Sequence, residues 1–322
     1  MKKCINIHWL GSSFLSIHFL VFAGIFSCSG QKSFHIDAVA PKALHKLFEY
    51  TNDGVFFLSS HRGGPDSGFP ENCIETFENT LSHTYSMIEC DPRYTKDSVI
   101  ILHHDPTLDR TTTGLGKVSD FTFEEVKKLY LKDLRGEETS FKIPTLDTAL
   151  EWSKGKTILV LDKKDVPIEE RVKKITEHNA EANALVIAYT YEEAKRCYLL
   201  NKNIVMEIFI NSPEKIQEFE QFGVPWENVV VFVGHEEPEN LELFGLIHQK
   251  GALCIQGTSR NLDRKYINGD VSKIEELRSE YNALIKAGVD IIETDIPVPL
   301  SRILYGIPPN SVKTKYLKPI EK

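Results

Sequence analysis

Short apolar runs alternate along this chain with segments of helical spacing, and this alternation constrains the fold more than any other feature. The runs are rich in β-branched residues, whereas the segments between them repeat apolar residues every three or four positions. Strands that alternate with helices form βαβ units, which build a parallel sheet. The apolar runs are 55–59, 86–90, 99–102, 157–161, 184–188, 204–210, 229–233, 253–256 and 289–293.

The number of runs predicts a closed (β/α)8 barrel over residues 55–322 rather than an open, doubly wound sheet. No Gly-x-Gly-x-x-Gly motif follows the first run, so a dinucleotide-binding sheet has no support. The run at 99–102 is expected to extend the second strand or to pair with it. The stretch 106–144 is polar and rich in turn residues, and we interpret it as an insertion in a βα loop. The candidate helices are 74–83, 145–153, 167–178, 191–201, 212–222, 238–250 and 272–287.

The first 28 residues differ from the rest of the chain. Lys2 and Lys3 precede an apolar run at 5–27, an order typical of an export signal. The end of this run, Ile-Phe-Ser-Cys at 25–28, resembles the cleavage box of bacterial lipoproteins, in which Cys28 would be lipidated. A plain secretory signal and an uncleaved transmembrane anchor are the alternatives. All three predict export, with a lipoprotein placed in the periplasm or on the outer membrane, and residues 29–54 are expected to form a tether and a first helix.

Charge and cysteine content exclude some classes of function. The net charge is −8 and no basic block is present, which argues against nucleic acid as a partner. Cys90 and Cys254 lie inside apolar runs and are expected to be buried as small hydrophobic residues. No Cys-x-x-Cys pair occurs, so the sequence carries no zinc signature.

Ionisable residues stand where four of the apolar runs end. In a parallel barrel, reactive side chains collect on the face built by the βα loops, at the carboxyl ends of the strands. We therefore expect these residues to share one site. They are His61 and Arg62; Glu89 and Asp91; His103, His104 and Asp105; and Asp162 and Lys164.

The acidic members of this set predict a site for one divalent cation. Glu89 and Asp91 are two positions apart, so both side chains leave the same face of a strand. Two carboxylates so placed repel each other unless a cation lies between them. Asp162 could supply a third ligand, and a set made of oxygen atoms alone suits Mg²⁺ or Ca²⁺.

The basic members suit chemistry on a phosphate. His61 and His104 can serve as general acid and base, because imidazole titrates near neutral pH. Arg62 suits bidentate binding of a phosphate group, and Lys164 adds a point charge.

The order and spacing of these motifs resemble the glycerophosphodiester phosphodiesterase family. The resemblance is carried by His61-Arg62-Gly63, Pro70-Glu71-Asn72, Glu89-x-Asp91, and His-Asp-Pro-Thr-Leu-Asp-Arg-Thr-Thr at 104–112. Asp162-x-Lys164 and the stretch 287–295 extend it over nearly the whole chain after the N-terminal segment. The family implies a (β/α)8 barrel with an insertion after the His-Asp motif.

The resemblance also implies roles for individual residues. It implies that His61 and His104 are the acid and base, and that Glu89, Asp91 and Asp162 bind the metal. It implies that Arg62 and Lys164 bind the phosphate. Glu71 and Asn72 would lie at the same site, with Glu71 supporting the histidines or the metal ligands. There are two departures from the family pattern: Asp162 replaces the usual Glu, and the run at 253–256 and the residues after it lack the usual aromatic residue.

Some residues near the predicted site have an ordinary structural interpretation. His103 is expected to pack behind His104, and Asn72 could cap the helix that begins near Ile74. Glu207 and Glu293 lie near strand ends, where a satisfied polar cap is the expected role. His235 could line the pocket.

Three functions fit these features. The first is hydrolysis of a glycerophosphodiester to an alcohol and glycerol 3-phosphate. The second is a phospholipase on a related barrel, acting on phosphoinositide or sphingophospholipid head groups. The third is a phosphodiester-binding module without catalysis, which would be expected to have lost a histidine or carboxylate.

Overall fold

The computed structural model of the chain describes residues 32–52, 57–236, 242–304 and 312–321. Within these ranges eight parallel strands form a closed barrel, which confirms the predicted (β/α)8 architecture. The predicted export segment at 1–28 lies outside the described residues. No helix in the described part of the chain is both long enough and apolar enough to span a membrane.

The barrel strands follow one another around the ring in chain order, and the last closes on the first. Numbered in chain order over the whole chain, they are β2 (Phe57–Ser60), β3 (Ser86–Cys90), β6 (Leu159–Leu161), β7 (Ala184–Ala188), β8 (Met206–Phe209), β9 (Val229–Gly234), β10 (Cys254–Gly257) and β11 (Ile291–Thr294). The other strands are β1 (Lys32–Ile36), β4 (Pro92–Tyr94), β5 (Ile100–Leu102) and β12 (Leu317–Glu321).

Helices cover the outer face and the lower end of the barrel, and one short helix lies in the insertion. They are α1 (Pro41–Phe48), α2 (Ile74–Leu81), α3 (Phe123–Val126), α4 (Leu146–Ser153), α5 (Ile168–Glu177), α6 (Tyr191–Leu200), α7 (Pro213–Glu220), α8 (Glu242–Gln249), α9 (Leu262–Ile267), α10 (Arg278–Ala287) and α11 (Pro297–Leu304). The sequence did not predict α9 or α11. The first is six residues long, too short to show a helical period, and the second begins with prolines in its first turn.

Successive side chains of each barrel strand point alternately outward and inward. The domain therefore has two apolar cores, one outside the barrel and one inside it. Residues such as Leu58 and Ile88 point outward and pack against the helices. Their neighbours Phe57 and Met87 point inward and fill the lower part of the barrel. The next inward positions on β2, β3, β8 and β11 hold Ser59, Glu89, Glu207 and Glu293, so the apolar filling ends below the mouth of the barrel.

The lower end of the barrel is closed by the N-terminal helix. Leu44, Leu47 and Phe48 of α1 belong to the same core cluster as the inward-facing strand residues. Strand β1 pairs antiparallel with β12 and so joins the two ends of the domain. Residues 32–36 therefore form part of the fold, which differs from the tether expected there.

The insertion at 106–144 has a small core of its own, which includes Leu108, Val126 and Leu131. Strands β4 and β5 form an antiparallel hairpin that precedes it. The run at 99–102 thus pairs with residues that follow the second barrel strand, not with that strand itself. The described cysteines, Cys73, Cys90, Cys197 and Cys254, are all buried and unpaired, as expected for Cys90 and Cys254.

Candidate active site

A cavity of about 930 Å³ opens at the carboxyl ends of the barrel strands. Parallel strands deliver their carboxyl ends to one face of a barrel, so side chains that follow different strands converge there. The cavity brings together most of the residues that the strand-end argument predicts. Those that line it are His61, Arg62, Glu89, His104, Asp162 and Lys164.

Three carboxylates lie side by side at the edge of this cavity. One oxygen atom from each of Glu89, Asp91 and Asp162 lies within 4.8 Å of the others, and all three residues are buried. Burial and the charge of Asp91 raise the pKa of Glu89 well above its ordinary value. The buried Oδ1 atom of Asp91 has only the ammonium group of Lys164 beside it among the described residues, at 3.0 Å. Three buried carboxylates that meet in this way form an oxygen-only set that fits one hard divalent cation.

Lys164 lies against the same carboxylates. Its Nζ atom is 3.0 Å from Asp91 Oδ1 and also forms an ion pair with Asp162. Burial disfavours both charges, but the mutual attraction outweighs it, so the pKa of Asp162 is lowered and that of Lys164 is raised. The Tyr189 hydroxyl also donates a hydrogen bond to Asp162. The ammonium group therefore compensates part of the charge that a divalent cation would neutralise.

Two neighbouring residues hold Asp91 and Glu89 in place. The Asn72 amide donates to Asp91 Oδ2 at 2.6 Å, and the Asp91 N–H donates to Asn72 Oδ1 at 3.0 Å. The backbone N–H of Arg62 donates to Glu89 Oε2 at 2.7 Å. Asn72 thus orients a predicted metal ligand, whereas it was expected among the phosphate-binding groups.

The backbone is strained at this site. Arg62, Asn72 and Lys164 all have positive φ angles, of 53°, 59° and 33°. A left-handed conformation costs on the order of 1 kcal/mol or more for a residue other than glycine, and such residues cluster at functional sites. For Arg62 this conformation accompanies the hydrogen bond from its N–H to Glu89.

His61 is bound to a carboxylate from the opposite end of the chain. Its Nδ1–H donates to Asp295 Oδ1 at 2.6 Å. Burial lowers the pKa of His61, but the hydrogen bond to Asp295 and the charges of Glu89 and Glu293 outweigh it and raise the pKa to about 10. His61 is therefore a cationic acid at neutral pH.

His104 has a different electrostatic environment. Its Nδ1–H donates to Asp105 Oδ1 at 2.8 Å, but Arg110 neutralises that carboxylate through two hydrogen bonds, of 2.7 and 2.9 Å. Burial is the largest influence and lowers the pKa of His104. The two histidines thus differ in the direction of their pKa shift. At His61 the nearby carboxylates outweigh burial, whereas at His104 burial and the positive charges of Arg62 and Lys164 prevail.

Glu71 connects these groups. Its carboxylate accepts hydrogen bonds from Arg110 at 2.8 and 2.9 Å and from Arg62 at 3.2 and 3.3 Å. Both of its oxygens are therefore occupied by arginines. Glu71 was expected at the substrate site, in support of the histidines or the metal ligands. Its contact with Arg110, which binds the Asp105 partner of His104, fits that supporting role.

Comparisons with known proteins agree with this geometry. The profile of the Glycerophosphoryl diester phosphodiesterase family matches residues 61–199. A glycerophosphodiester phosphodiesterase from Caldanaerobacter subterraneus is 30% identical over 257 residues, which are 76% of this chain and 96% of that protein. The chain belongs to this family. The crystal structure of a glycerophosphoryl diester phosphodiesterase from Parabacteroides distasonis superposes with a TM-score of 0.85 at 39% identity, covering 89% of this chain and 100% of that one.

A further relative aligns over a shorter stretch. The YhdW protein of Bacillus subtilis is 35% identical over 151 residues, which are 44% of this chain and 60% of that protein. Membership of the glycerophosphodiester phosphodiesterase family confirms the predicted fold and the predicted enzyme class, a phosphoric diester hydrolase.

The seventh barrel strand, β10, lacks the aromatic residue that is usual in the family, and neighbouring strands supply aromatic side chains instead. Gly257 ends β10, and a Cβ atom added there would overlap the ring of His235. His235 lines the cavity and packs edge-on against Phe232, with ring centroids 5.1 Å apart. Phe209 and Tyr189 continue the row, at centroid distances of 5.4 and 5.2 Å. The aromatic wall of this pocket therefore comes from the ends of β7, β8 and β9.

Two further carboxylates face the cavity. Glu207 and Glu293 line it and are 1% and 7% exposed. Within the described residues no side chain or backbone N–H donates a hydrogen bond to either carboxylate, which differs from the satisfied polar caps expected there. Burial raises the pKa of both groups, and the charge of Glu293 raises that of Glu207 further. Because both carboxylates line the cavity, they are placed to contact a bound molecule.

Two supporting aspartates were not predicted. Asp295 directly follows the last barrel strand, so the strand-end argument could have found it. Asp263 lies in α9 and is fully buried. Its carboxylate accepts hydrogen bonds from the Asp295 N–H at 2.7 Å and from the Tyr281 hydroxyl at 2.6 Å. Nothing in the local sequence marks Asp263, because its partners come from distant segments. His103, in contrast, is buried and bonded to the Thr107 carbonyl at 2.9 Å, as expected for a packing residue.

Proposed function

We propose that this protein hydrolyses glycerophosphodiesters to an alcohol and glycerol 3-phosphate, with one divalent cation, Ca²⁺ or Mg²⁺, at Glu89, Asp91 and Asp162. The observation that carries the proposal is the pair of histidines at one cavity, each bound through Nδ1 to its own carboxylate. This arrangement leaves the Nε2 atom of each imidazole as the proton-transferring atom.

The two histidines have distinct roles in this proposal. His61, whose charge Asp295 stabilises, is the general acid that protonates the leaving alcohol. His104, whose partner Asp105 is neutralised by Arg110, is the neutral base that accepts a proton from the nucleophile. Environments that separate the pKa values of two titratable groups in this way commonly assign acid and base.

Arg62 and Lys164 are the groups proposed to hold the phosphate. The Arg62 Nε atom is buried without a hydrogen-bond partner, and Glu71 fixes the other end of the guanidinium. Lys164 lies beside the carboxylates, at the boundary between the cation site and the cavity. When bound, a divalent cation supplies positive charge that stabilises the phosphoryl oxygens in the transition state.

The test uses the purified full-length chain. Release of glycerol 3-phosphate is followed for glycerophosphodiesters with different head groups, in chelator and after return of Ca²⁺ or Mg²⁺ separately. We expect turnover that requires one of the ions, and a loss of at least about 100-fold in His104→Ala. His83→Ala, at an exposed histidine two residues after the end of α2, is the matched control. A folded protein that binds metal but turns over none of these substrates contradicts the proposal and supports a non-catalytic binding module.

We propose further that the protein is exported and tethered to a membrane through Cys28. The support is the basic, then apolar, then Ile-Phe-Ser-Cys order of residues 1–28. In a bacterial host fed labelled palmitate, the wild-type chain should carry the label and Cys28→Ser should not. Label retained in Cys28→Ser overturns the lipoprotein proposal.

A further inference from the structure

A second group of metal-binding side chains lies on the outer face of the barrel. Ligand atoms of His248, Cys254 and Asp290 all lie within 4.8 Å of one another. Cys254 is the first residue of β10, and Gly257 at the catalytic end is the last, so the two positions are roughly 10 Å apart along the strand. None of the three residues lines the catalytic cavity. This group, which we call the Cys254 cluster, is therefore separate from the catalytic carboxylates.

The three side chains come from three different segments of the chain. His248 is in the last turn of α8, Cys254 begins β10, and Asp290 directly precedes β11. Cys254 belongs to the apolar core between the strands and the helices, so its side chain points out of the barrel. Because 36 positions separate Cys254 from Asp290, no short motif marks the cluster in the sequence.

Backbone hydrogen bonds fix Cys254 and Asp290 relative to each other. The Cys254 N–H donates to Asp290 Oδ2 at 2.8 Å, and the Asp290 N–H donates to the Cys254 carbonyl at 3.0 Å. The two residues stand at the start of adjacent parallel strands, β10 and β11. Ligands that are held in place before an ion arrives lose little conformational entropy when it binds.

The imidazole of His248 is also held in place. Tyr50 stacks on it, with ring centroids 3.7 Å apart and ring planes 5° apart. A Cβ atom at Gly288 would lie 3.4 Å from His248 Cε1, so the ring packs against the backbone there. His248 Nε2 and Asp290 Oδ2 are joined by a hydrogen bond of 2.8 Å. All three side chains of the Cys254 cluster are thus positioned by the fold.

The ligand atoms of the Cys254 cluster are a sulfur, a nitrogen and an oxygen. Thiolate and imidazole ligands suit Zn²⁺, whereas Mg²⁺ and Ca²⁺ prefer oxygen alone. Because Zn²⁺ lies about 2.0–2.3 Å from such atoms, three of them in this arrangement can surround one ion. The His248 and Asp290 side chains are 11% and 13% exposed, so solvent reaches the cluster and can supply a fourth ligand.

We propose that the Cys254 cluster binds one Zn²⁺ ion, which joins α8 to β10 and to the residues before β11. Cys254 binds as the thiolate, and its proton passes to the solvent. One imidazole nitrogen of His248 binds the ion, and the other carries the imidazole proton. The role is structural and does not depend on the proposed function, because the cluster lies away from the catalytic cavity.

The experiment titrates the reduced, full-length chain with Co²⁺, which takes the place of Zn²⁺ and reports its ligands by absorption. A thiolate bound to Co²⁺ gives a charge-transfer band in the near ultraviolet, whereas the oxygen-only catalytic set gives none. We expect this band in the wild type, its loss when Zn²⁺ displaces Co²⁺, and a weaker or absent band in Cys254→Ser. Cys197→Ser, at a buried cysteine of α6, is the matched control and should keep the band.

His248→Gln tests the cluster through a second ligand, at a position where a new side chain reaches solvent. The loss of a ligand should weaken Co²⁺ binding at this site by at least about 100-fold. Zn²⁺ should then raise the thermal midpoint of this variant less than that of the wild type. His83→Gln, at an exposed histidine outside the cluster, is the control and should match the wild type in both measurements.

Two results would overturn the inference. If the folded, reduced wild type gives no thiolate band, the hydrogen bond between His248 and Asp290 serves only to fasten α8 to the barrel. If the band is equal in the wild type, Cys254→Ser and His248→Gln, another cysteine supplies it. Either result leaves the proposed function intact, because glycerophosphodiester turnover is measured separately.

Discussion

The imidazole of His61 and the carboxylate of Asp295 lie 2.6 Å apart, although 234 positions separate them in the sequence. They meet because the last strand of the barrel closes on the first, with Glu293 beside Ser59 and Thr294 beside Ser60. Closure of the ring thus brings the general acid proposed for this enzyme to the carboxylate that keeps it charged.

Asp295→Asn should move the alkaline limit of activity to lower pH. A general acid must carry its proton, so activity is present below the pKa of His61, about 10, and is lost as the pH rises through it. Removal of the Asp295 charge lowers that pKa by roughly one to two units. The pH profile of kcat/KM measures the shift. An unchanged alkaline limb would mean that His61 is not the acid.

Glu71→Gln should reduce activity without contact to the substrate. The change removes the charge that Arg62 and Arg110 share, so Arg62 is held less firmly and Arg110 is left with Asp105 as its carboxylate partner. We expect kcat/KM to fall by roughly 10- to 100-fold, and the free energy of unfolding to fall by about 1–3 kcal/mol. Steady-state kinetics and urea titration measure the two effects. Glu124→Gln, at an exposed ion pair on α3, is the control and should change neither quantity.

Lys164→Gln should separate metal affinity from turnover. The Lys164 ammonium competes with a cation for Asp91 and Asp162, so its removal should tighten binding of Ca²⁺ or Mg²⁺ by roughly tenfold. At the same time kcat should fall, because a phosphate-binding charge is lost. Titration calorimetry and kinetics give the two numbers. Lys163→Gln, whose partner is Glu193, is the neighbouring control. Weaker metal binding in Lys164→Gln would contradict this account.

Gly257→Ala should impair the pocket through a steric effect. The added methyl group overlaps His235 and Phe232, so the aromatic wall must move. Overpacking of this kind typically costs about 1–3 kcal/mol of stability, and KM should rise. Gly245→Ala, on an exposed position of α8 with open space around it, should instead stabilise the protein by up to about 1 kcal/mol. Equal behaviour of the two variants in thermal melts and kinetics would refute the steric explanation.

Local patterns in the sequence predicted much of the architecture. Alternating strand and helix periods depend on neighbours a few residues away, so they predicted the barrel and most of its elements. The rule that parallel strands end on one face predicted that His61, Glu89 and Asp162 share a site, and the structure places all three there. The sequence patterns did not predict short or proline-rich elements such as α9 and α11, because these elements are too brief to show a helical period.

Only the tertiary structure shows which side chains pair when they are far apart in the sequence. A strand pattern states which face and which end a residue occupies, but not which distant group it will meet. The contacts of Asp263 with Asp295, of Asp295 with His61, and of Glu71 with two arginines depend on ring closure and on the path of the loops. The charge difference between the histidines follows from those contacts. The sequence by itself therefore determined the barrel and the set of reactive groups, whereas the tertiary structure decided their partners.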